Sequence, residues 1–346
     1  MSGTALMMRT LFNNPAWWPI AALLLIFAFS VAPTATSDDM IVVVGAAGTP
    51  EYADDFKLAA ATWQQLAKLN ELQCVTIGLS GSGEENSDRD QLSATIQKSK
   101  REKSETPLWL VLIGHGTFAD SLAKFNLRGT DFSASEMSDW LADSQRTIVV
   151  INNASSSGPF INRLSADHRI IVTATKSGSE QNYTRFGKYF AQAMSSTAAD
   201  LDHDDEVSVL EAFVMATREV DDFYQTEGRI STEHALLDDN GDGAGSSSKI
   251  LAGLAVVKGP KTVDGKRAAK TTLSPTGETP RLTPEQSKRR DELESQLEII
   301  RVANDGQSES DYQAKILPIM LELSRIYFPE EAASDAEAAS KTPAER

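Results

Sequence analysis

Two short segments, Gly114-His115-Gly116 and Ala154-Ser155-Ser156-Ser157-Gly158, place an imidazole and a hydroxyl directly after runs of apolar residues. An imidazole exchanges a proton near neutral pH, and a hydroxyl attacks a carbonyl once a base removes its proton. The run before the histidine is LWLVLIG and the run before the serine is TIVVINNA, both of the kind that forms a buried strand. In an open parallel sheet, reactants gather at the carboxyl ends of strands, where loops converge and helix N-termini offer N–H groups. Neighbouring strands would therefore bring His115 and Ser155 to one rim. The single cysteine, Cys74, opens the run CVTIGL and falls at the opposite edge. A plainer reading stands beside this one: Gly-His-Gly as a tight strand exit, and ASSSG as a loop whose Ser157 caps a helix.

A second constellation is acidic. The segment DLDHDDEVSVLE sets Asp200, Asp202 and Asp204 at the first, third and fifth positions of an EF-hand-type loop, with Ser208 at the ninth and Glu211 at the twelfth. Glu206 adds a further acid within it. Oxygen donors at this spacing predict calcium, although Asp205 stands where a glycine would permit the sharp turn. The alternative is an acid-rich helix cap, with Ser208 or Asp204 starting VSVLEAF. In LDDNGDGAG, Asp238, Asn240 and Asp242 also alternate, but Lys249 falls where a bidentate acid is needed, so the stretch reads as an Asp-Asn-Gly turn with at most a loosely held ion. His168, His203 and His234 lack the paired spacing of a zinc site.

The elements that must position these groups are legible as an alternation. Strands are expected at DMIVVVG, QCVTIGL, LWLVLIG, TIVVINN and HRIIVTA, and helices at YADDFKLAAATWQQLAKL, DQLSATIQKSK, SASEMSDWL, TRFGKYFAQAM and VSVLEAFVMATREV. In the first helix Phe56, Ala59, Trp63, Leu66 and Ala67 recur at helical spacing, and Ser133 precedes Glu136 by the spacing of a capping box. Such alternation predicts an α/β fold with a mainly parallel sheet covered by helices on both faces. Residues 1–37, with Arg9 ahead of a short apolar run, read as a signal peptide, which predicts a secreted or periplasmic protein. An uncleaved N-terminal anchor is the one membrane contact considered. The α/β domain is expected over 38–258, a polar linker over 259–282, a helical hairpin over 283–329 and a disordered tail over 330–346. A net charge of -16 argues against nucleic acid and anionic lipid as partners, since both repel such a surface.

The histidine and serine segments carry a family resemblance. LWLVLIGHGTF resembles the His-Gly element of the caspase and haemoglobinase clan, and more closely that of the legumain-type (asparaginyl endopeptidase) cysteine peptidases. In that family a second strand ends in a cysteine followed by x-Ser-Gly. Here SSSG occupies the place, with Ser155 where the cysteine would stand and Ser157-Gly158 matching the rest. IIVTATKSGSEQNYTRFGKYF resembles the family's next strand and its substrate-side loop. The resemblance implies a caspase-like fold, His115 as acid/base, Ser155 at the nucleophile position and the N–H groups of Gly116 and Ser155 as an oxyanion hole. A thiol is partly ionised near neutral pH, whereas an alcohol needs an adjacent base during attack. The leading expectation is thus a peptidase homologue with a substituted nucleophile, binding peptide or protein segments. An active hydrolase using a Ser155/His115 dyad and a calcium-stabilised interaction module are the competing readings.

Overall fold

A computed structural model of the chain describes residues 39–79, 87–101, 104, 106–144, 146–202, 204, 206–252, 263–275, 283–302 and 309–327. The segments read as signal peptide (1–37) and as tail (330–346) lie outside the described residues. Among the described residues, no helix is long and apolar enough to cross a membrane.

β1 (Met40–Val44) is wholly buried and is followed by α1 (Pro50–Leu69), whose proline sits in the first turn, where its missing N–H costs nothing. β2 (Cys74–Ile77), α2 (Asp88–Ser99) and β3 (Leu108–Ile113) follow, with Ser87 capping α2 by accepting the Asp90 N–H. A meander of β4 (Gly116–Ala119), β5 (Leu122–Phe125) and β6 (Phe132–Ser133) then precedes α3 (Ala134–Leu141), whose capping box joins Ser133 and Glu136. The chain continues through β7 (Ile148–Asn152), α4 (Ile161–Leu164), β8 (Arg169–Thr173), α5 (Phe186–Ala193), β9 (Glu206–Ser208), α6 (Val209–Thr226), β10 (Leu236–Asp238), α7 (Ser248–Leu251), β11 (Thr272–Pro275), α8 (Pro284–Val302) and α9 (Glu309–Tyr327).

The main sheet has the order β10-β8-β7-β3-β1-β2, parallel throughout except for β10, which runs antiparallel to β8. Side chains of each strand alternate between two buried layers. Met40, Val42 and Val44 of β1 point toward α1, α5 and α6, with Trp63, Phe190 and Phe213, while Ile41 and Val43 point toward α2, α3 and α4, with Leu92, Met137 and Leu164. Both faces are therefore dry, which is why the strands read as unbroken apolar runs.

The small antiparallel sheet was not among the expected elements. β4 and β5 are joined through Asp120 and Ser121, both at positive φ (50° and 62°), the geometry of a tight two-residue hairpin turn without its usual glycine. Within the stretch expected as linker (259–282), residues 263–275 are packed: a 3-10 turn covers Ala268–Lys270, Ala268 is fully buried and β11 pairs with β9. The Asp239 carboxylate orders this segment by accepting the N–H groups of Gly265, Arg267 and Ala268, each at 2.8 Å. That polar bonding leaves no trace in a hydropathy profile.

The hairpin expected at the C-terminal end forms. Thr283 caps α8, its hydroxyl accepting the Gln286 N–H while the Gln286 side chain accepts the Thr283 N–H. Leu293, Ile319, Leu323 and Ile326 make the hairpin's own small core.

Candidate active-site lip

β3 and β7 are neighbours in the main sheet, with Leu112 opposite Asn152. The chain leaves β3 through Gly114 and His115 into β4, and leaves β7 through Asn153, Ala154 and Ser155 into a 3-10 turn. His115 and Ser155 therefore stand at the carboxyl ends of adjacent strands, while Cys74 lies at the start of the edge strand β2. Gly114 is needed where it is, because a Cβ there would fall 2.8 Å from the Phe125 ring that closes the small sheet over this exit.

The imidazole is held by aromatic rings and one carbonyl. Tyr52 and Phe56, one turn apart on α1, approach it with ring centroids at 4.8 and 5.3 Å, and Tyr183 lies at 6.4 Å. Nε2 is 3.2 Å from the Ala47 carbonyl oxygen, which can only accept, so Nε2 is the donor in this contact.

Ser155 is 3% exposed, and both bonds of its hydroxyl go to one backbone residue: Oγ donates to the Gly116 carbonyl at 3.2 Å and accepts the Gly116 N–H at 3.2 Å. Among the described residues no hydrogen bond joins Ser155 to His115. The Gly116 N–H, which the family resemblance assigns to an oxyanion hole, is here bonded to the hydroxyl itself. The rest of the serine loop is tied to the segment after β8. Ser156, at φ +55°, donates its N–H to the Glu180 carbonyl at 2.8 Å and its hydroxyl to the Gly178 carbonyl at 3.0 Å. Ser157 Oγ lies 3.1 Å from Thr175 Oγ1, which accepts the Gly158 N–H at 3.0 Å. Gly158 permits that approach, since a Cβ would sit 2.3 Å from the Lys176 carbonyl carbon.

Beside the lip, between α1 and α5, opens a cavity of about 310 Å³ lined in part by Asp55, Phe56, Asn153, Tyr183, Arg185 and Gly187. Asn153 is 8% exposed and its Oδ1 has no hydrogen-bond partner among the described residues. Gly187 makes room for it: a Cβ there would meet Asn153 Cγ at 2.4 Å. Tyr183 donates to Asp55 at 3.4 Å, and burial, reinforced by the Asp55 charge, pushes its phenol up to about 12, so it stays protonated. Arg185 turns its guanidinium onto the Phe223 face at 4.1 Å. Its N–H and that of Phe186 are taken by the buried Glu233 carboxylate, which fixes the start of α5. Burial raises Glu233 above the usual carboxylate range, opposed by these N–H donors.

Of the six residues expected to hold calcium, three come together. Ligand atoms of Asp200, Asp202 and Asp204 lie within 4.8 Å of one another. The other three are bonded elsewhere. Ser208 and Glu211 form the capping box of α6, and the remaining Glu211 oxygen accepts the Leu201 N–H at 2.7 Å. Glu206 pairs with Arg290 of α8 at 2.7 Å, and the same guanidinium lies 3.6 Å from Asp204. Glu211 is thus used by backbone donors as a helix cap and Glu206 by an arginine 84 positions away, which leaves Asp200, Asp202 and Asp204 as the group that could hold a cation in this loop.

Sequence spacing missed Asn153, Tyr52, Phe56 and Arg290. Asn153 could have been found, since it precedes Ser155 by two in a strand-like run and so faces the same side.

No protein-family model matches the chain, and no curated protein does. Among solved structures, similarity extends to the initiator caspase Dronc of Drosophila, at 12% identity and a TM-score of 0.38 over 62% of this chain and 84% of that one. Caspase-1 from Spodoptera frugiperda is similar at 9% identity and a TM-score of 0.37, over 59% and 89% of the two chains. Likeness at that distance carries no argument about what the lip binds or cleaves.

Proposed function

We propose that the protein is an exported, legumain-like peptidase homologue that binds a peptide or protein segment along the lip between His115 and Ser155 and has lost efficient cleavage. The observation that carries this reading is the direction of the Ser155 hydroxyl. It is bonded to the backbone of Gly116, and among the described residues no hydrogen bond joins it to the imidazole that would have to act as its base. The cavity next to the lip supports binding. It joins the apolar walls of Phe56 and Tyr183 to one unpartnered acceptor, Asn153 Oδ1, and a side chain carrying an N–H or O–H donor fits that chemistry.

The active-hydrolase reading draws on one observation, the placement of His115 and Ser155 at the carboxyl ends of the adjacent strands β3 and β7, which brings an imidazole and a hydroxyl to one rim. One experiment separates the two. Purified protein is incubated with a panel of fluorogenic peptides, including those with asparagine or aspartate before the scissile bond, beside a Ser155→Ala variant, while peptide binding is followed by fluorescence anisotropy. Saturable binding by both proteins with no turnover difference supports the binding role. Turnover that vanishes in Ser155→Ala would establish the hydrolase, and absence of binding by either protein would remove the first proposal.

A further inference from the structure

The second acidic loop has a feature that the first lacks. β10 ends at Asp238, and the chain turns through Asn240, Gly241, Asp242 and Gly243 before Ser246 pairs back with Leu237 by two backbone bonds, of 3.0 and 2.7 Å. Gly241 and Gly243 take φ values of +80° and +73°, which only glycine adopts without strain. Asp238 is 1% exposed at the foot of this loop. Its Oδ1 accepts the Ser165 hydroxyl at 2.8 Å, whereas its Oδ2 is buried with no hydrogen-bond partner among the described residues.

Carboxylates nearby are satisfied by donors. Asp239 takes three backbone N–H groups, and Asp264 takes the Ser246 hydroxyl at 2.6 Å and the Asp239 N–H at 3.2 Å. Among the described carboxylates, Asp238 keeps one buried oxygen, Oδ2, without a hydrogen-bond partner; burial raises its carboxyl, and the Ser165 hydroxyl and the backbone N–H groups of Gly241 and Gly243 hold it back. A buried anionic oxygen without a partner is costly unless a cation or proton completes it.

We propose that the Asp238–Gly243 loop binds a divalent cation, calcium, with Asp238 Oδ2 as its buried ligand and Asn240 and Asp242 supplying further oxygens. Asp-x-Asn-x-Asp-Gly sets oxygen donors at alternate positions of a loop whose sixth residue is a glycine at positive φ. The donor set holds oxygen only, which suits a hard cation and not zinc. Lys249, at the twelfth position, does not count against the site. The Leu237–Ser246 bridge closes the loop before Lys249, which lies in α7, so the missing acid belongs to a geometry this loop does not adopt. Water and backbone carbonyls complete the shell, and a site with few charged ligands binds weakly, with a dissociation constant of about 0.1–1 mM.

The test uses the full chain freed of metal by chelator and titrated calorimetrically with calcium chloride, alongside Asp242→Ala, Asp238→Asn and Asp202→Ala. Asp242 is exposed at the loop tip, so its variant keeps the fold even if Asp238→Asn does not. One saturable site is expected, weakened at least about tenfold in Asp242→Ala and in folded Asp238→Asn, and unchanged in Asp202→Ala. Binding that survives Asp242→Ala, or disappears in Asp202→Ala, would assign calcium to the other loop. No heat and no rise in melting temperature up to about 10 mM calcium would overturn the proposal outright.

Discussion

Replacing Ser155 by alanine distinguishes a hydroxyl kept for structure from one kept for attack. In the structure Oγ makes two hydrogen bonds of 3.2 Å to the backbone of Gly116, within a loop that is nearly inaccessible. A neutral hydrogen bond contributes about 0.5–1.5 kcal/mol net. Both bonds are long and Gly116 is half-buried, so water recovers part of the loss. Removing Oγ is therefore expected to destabilise the protein by about 1–2 kcal/mol, a fall of roughly 2–6 °C in Tm for a domain of this size. Nucleophiles behave otherwise, because active sites hold groups at the expense of stability and their truncation is commonly neutral or stabilising. Urea unfolding with the slope held in common measures the shift in midpoint. An alanine variant as stable as the parent, or more so, would refute the view that Gly116 is what the hydroxyl serves.

Three further outcomes follow from neighbouring geometry. Gly187→Ala drives a methyl to within 2.4 Å of Asn153 Cγ, so it is expected to cost about 1–2 kcal/mol after the gain in helix propensity and to abolish peptide binding in anisotropy. Arg290→Met strands the Glu206 and Asp204 carboxylates and is expected to cost about 2–3 kcal/mol and to expose α8 and α9 to limited proteolysis, with Glu206→Gln restoring part of the loss. Asp204 is raised from its ordinary 3.8 to about 7, first by burial and then by the Asp202 charge. The folded state then keeps a proton that the unfolded chain has lost, so its effect on stability is absent below about pH 3.8 and grows unfavourable as pH rises to about 7. Thermal melts in chelator are expected to show this decline, and Asp204→Asn to flatten it.

Legibility in the sequence tracked the physics that each feature depends on. Strands buried on both faces must be apolar throughout, so β1, β3, β7 and β8 were visible as runs, whereas their order in the sheet, and with it the adjacency of β3 and β7, was a condition that only the structure supplies. The capping box at Ser133 was visible because it is local, and the one at Ser208 was foreshadowed only as one of two possible helix caps. What escaped was fixed by polar contacts between distant positions. Asp239 orders residues 265–268, Arg290 occupies the carboxylates of Glu206 and Asp204, and Glu211 serves the Leu201 N–H. A period counted along the chain cannot tell a carboxylate waiting for an ion from one already holding backbone donors. In the loop at Asp200–Glu211 the closing acid is spent on a helix cap while three aspartates converge, and in the loop at Asp238–Gly243 one buried carboxylate oxygen lacks a partner while Asn240 and Asp242 each accept a backbone N–H.

The two Ser155–Gly116 bonds limit how strongly that geometry could oppose attack by the hydroxyl. Turning the hydroxyl away from Gly116 forfeits about 1–2 kcal/mol, which reduces the population ready to meet a base by roughly 5- to 30-fold. Loss of a serine nucleophile costs on the order of a million-fold in a peptidase. Hydrogen bonding to Gly116 alone therefore accounts for a small part of any inactivity, and the larger part rests with the imidazole. Tyr52, Phe56 and Tyr183 surround that ring while Ala47 holds Nε2, so the rings fix where Nδ1 can point. On the proposed binding reading, an imidazole held between these rings and the Ala47 carbonyl limits the entropy lost when a segment docks, and the cost of reorienting it toward Ser155 is what opposes proton transfer.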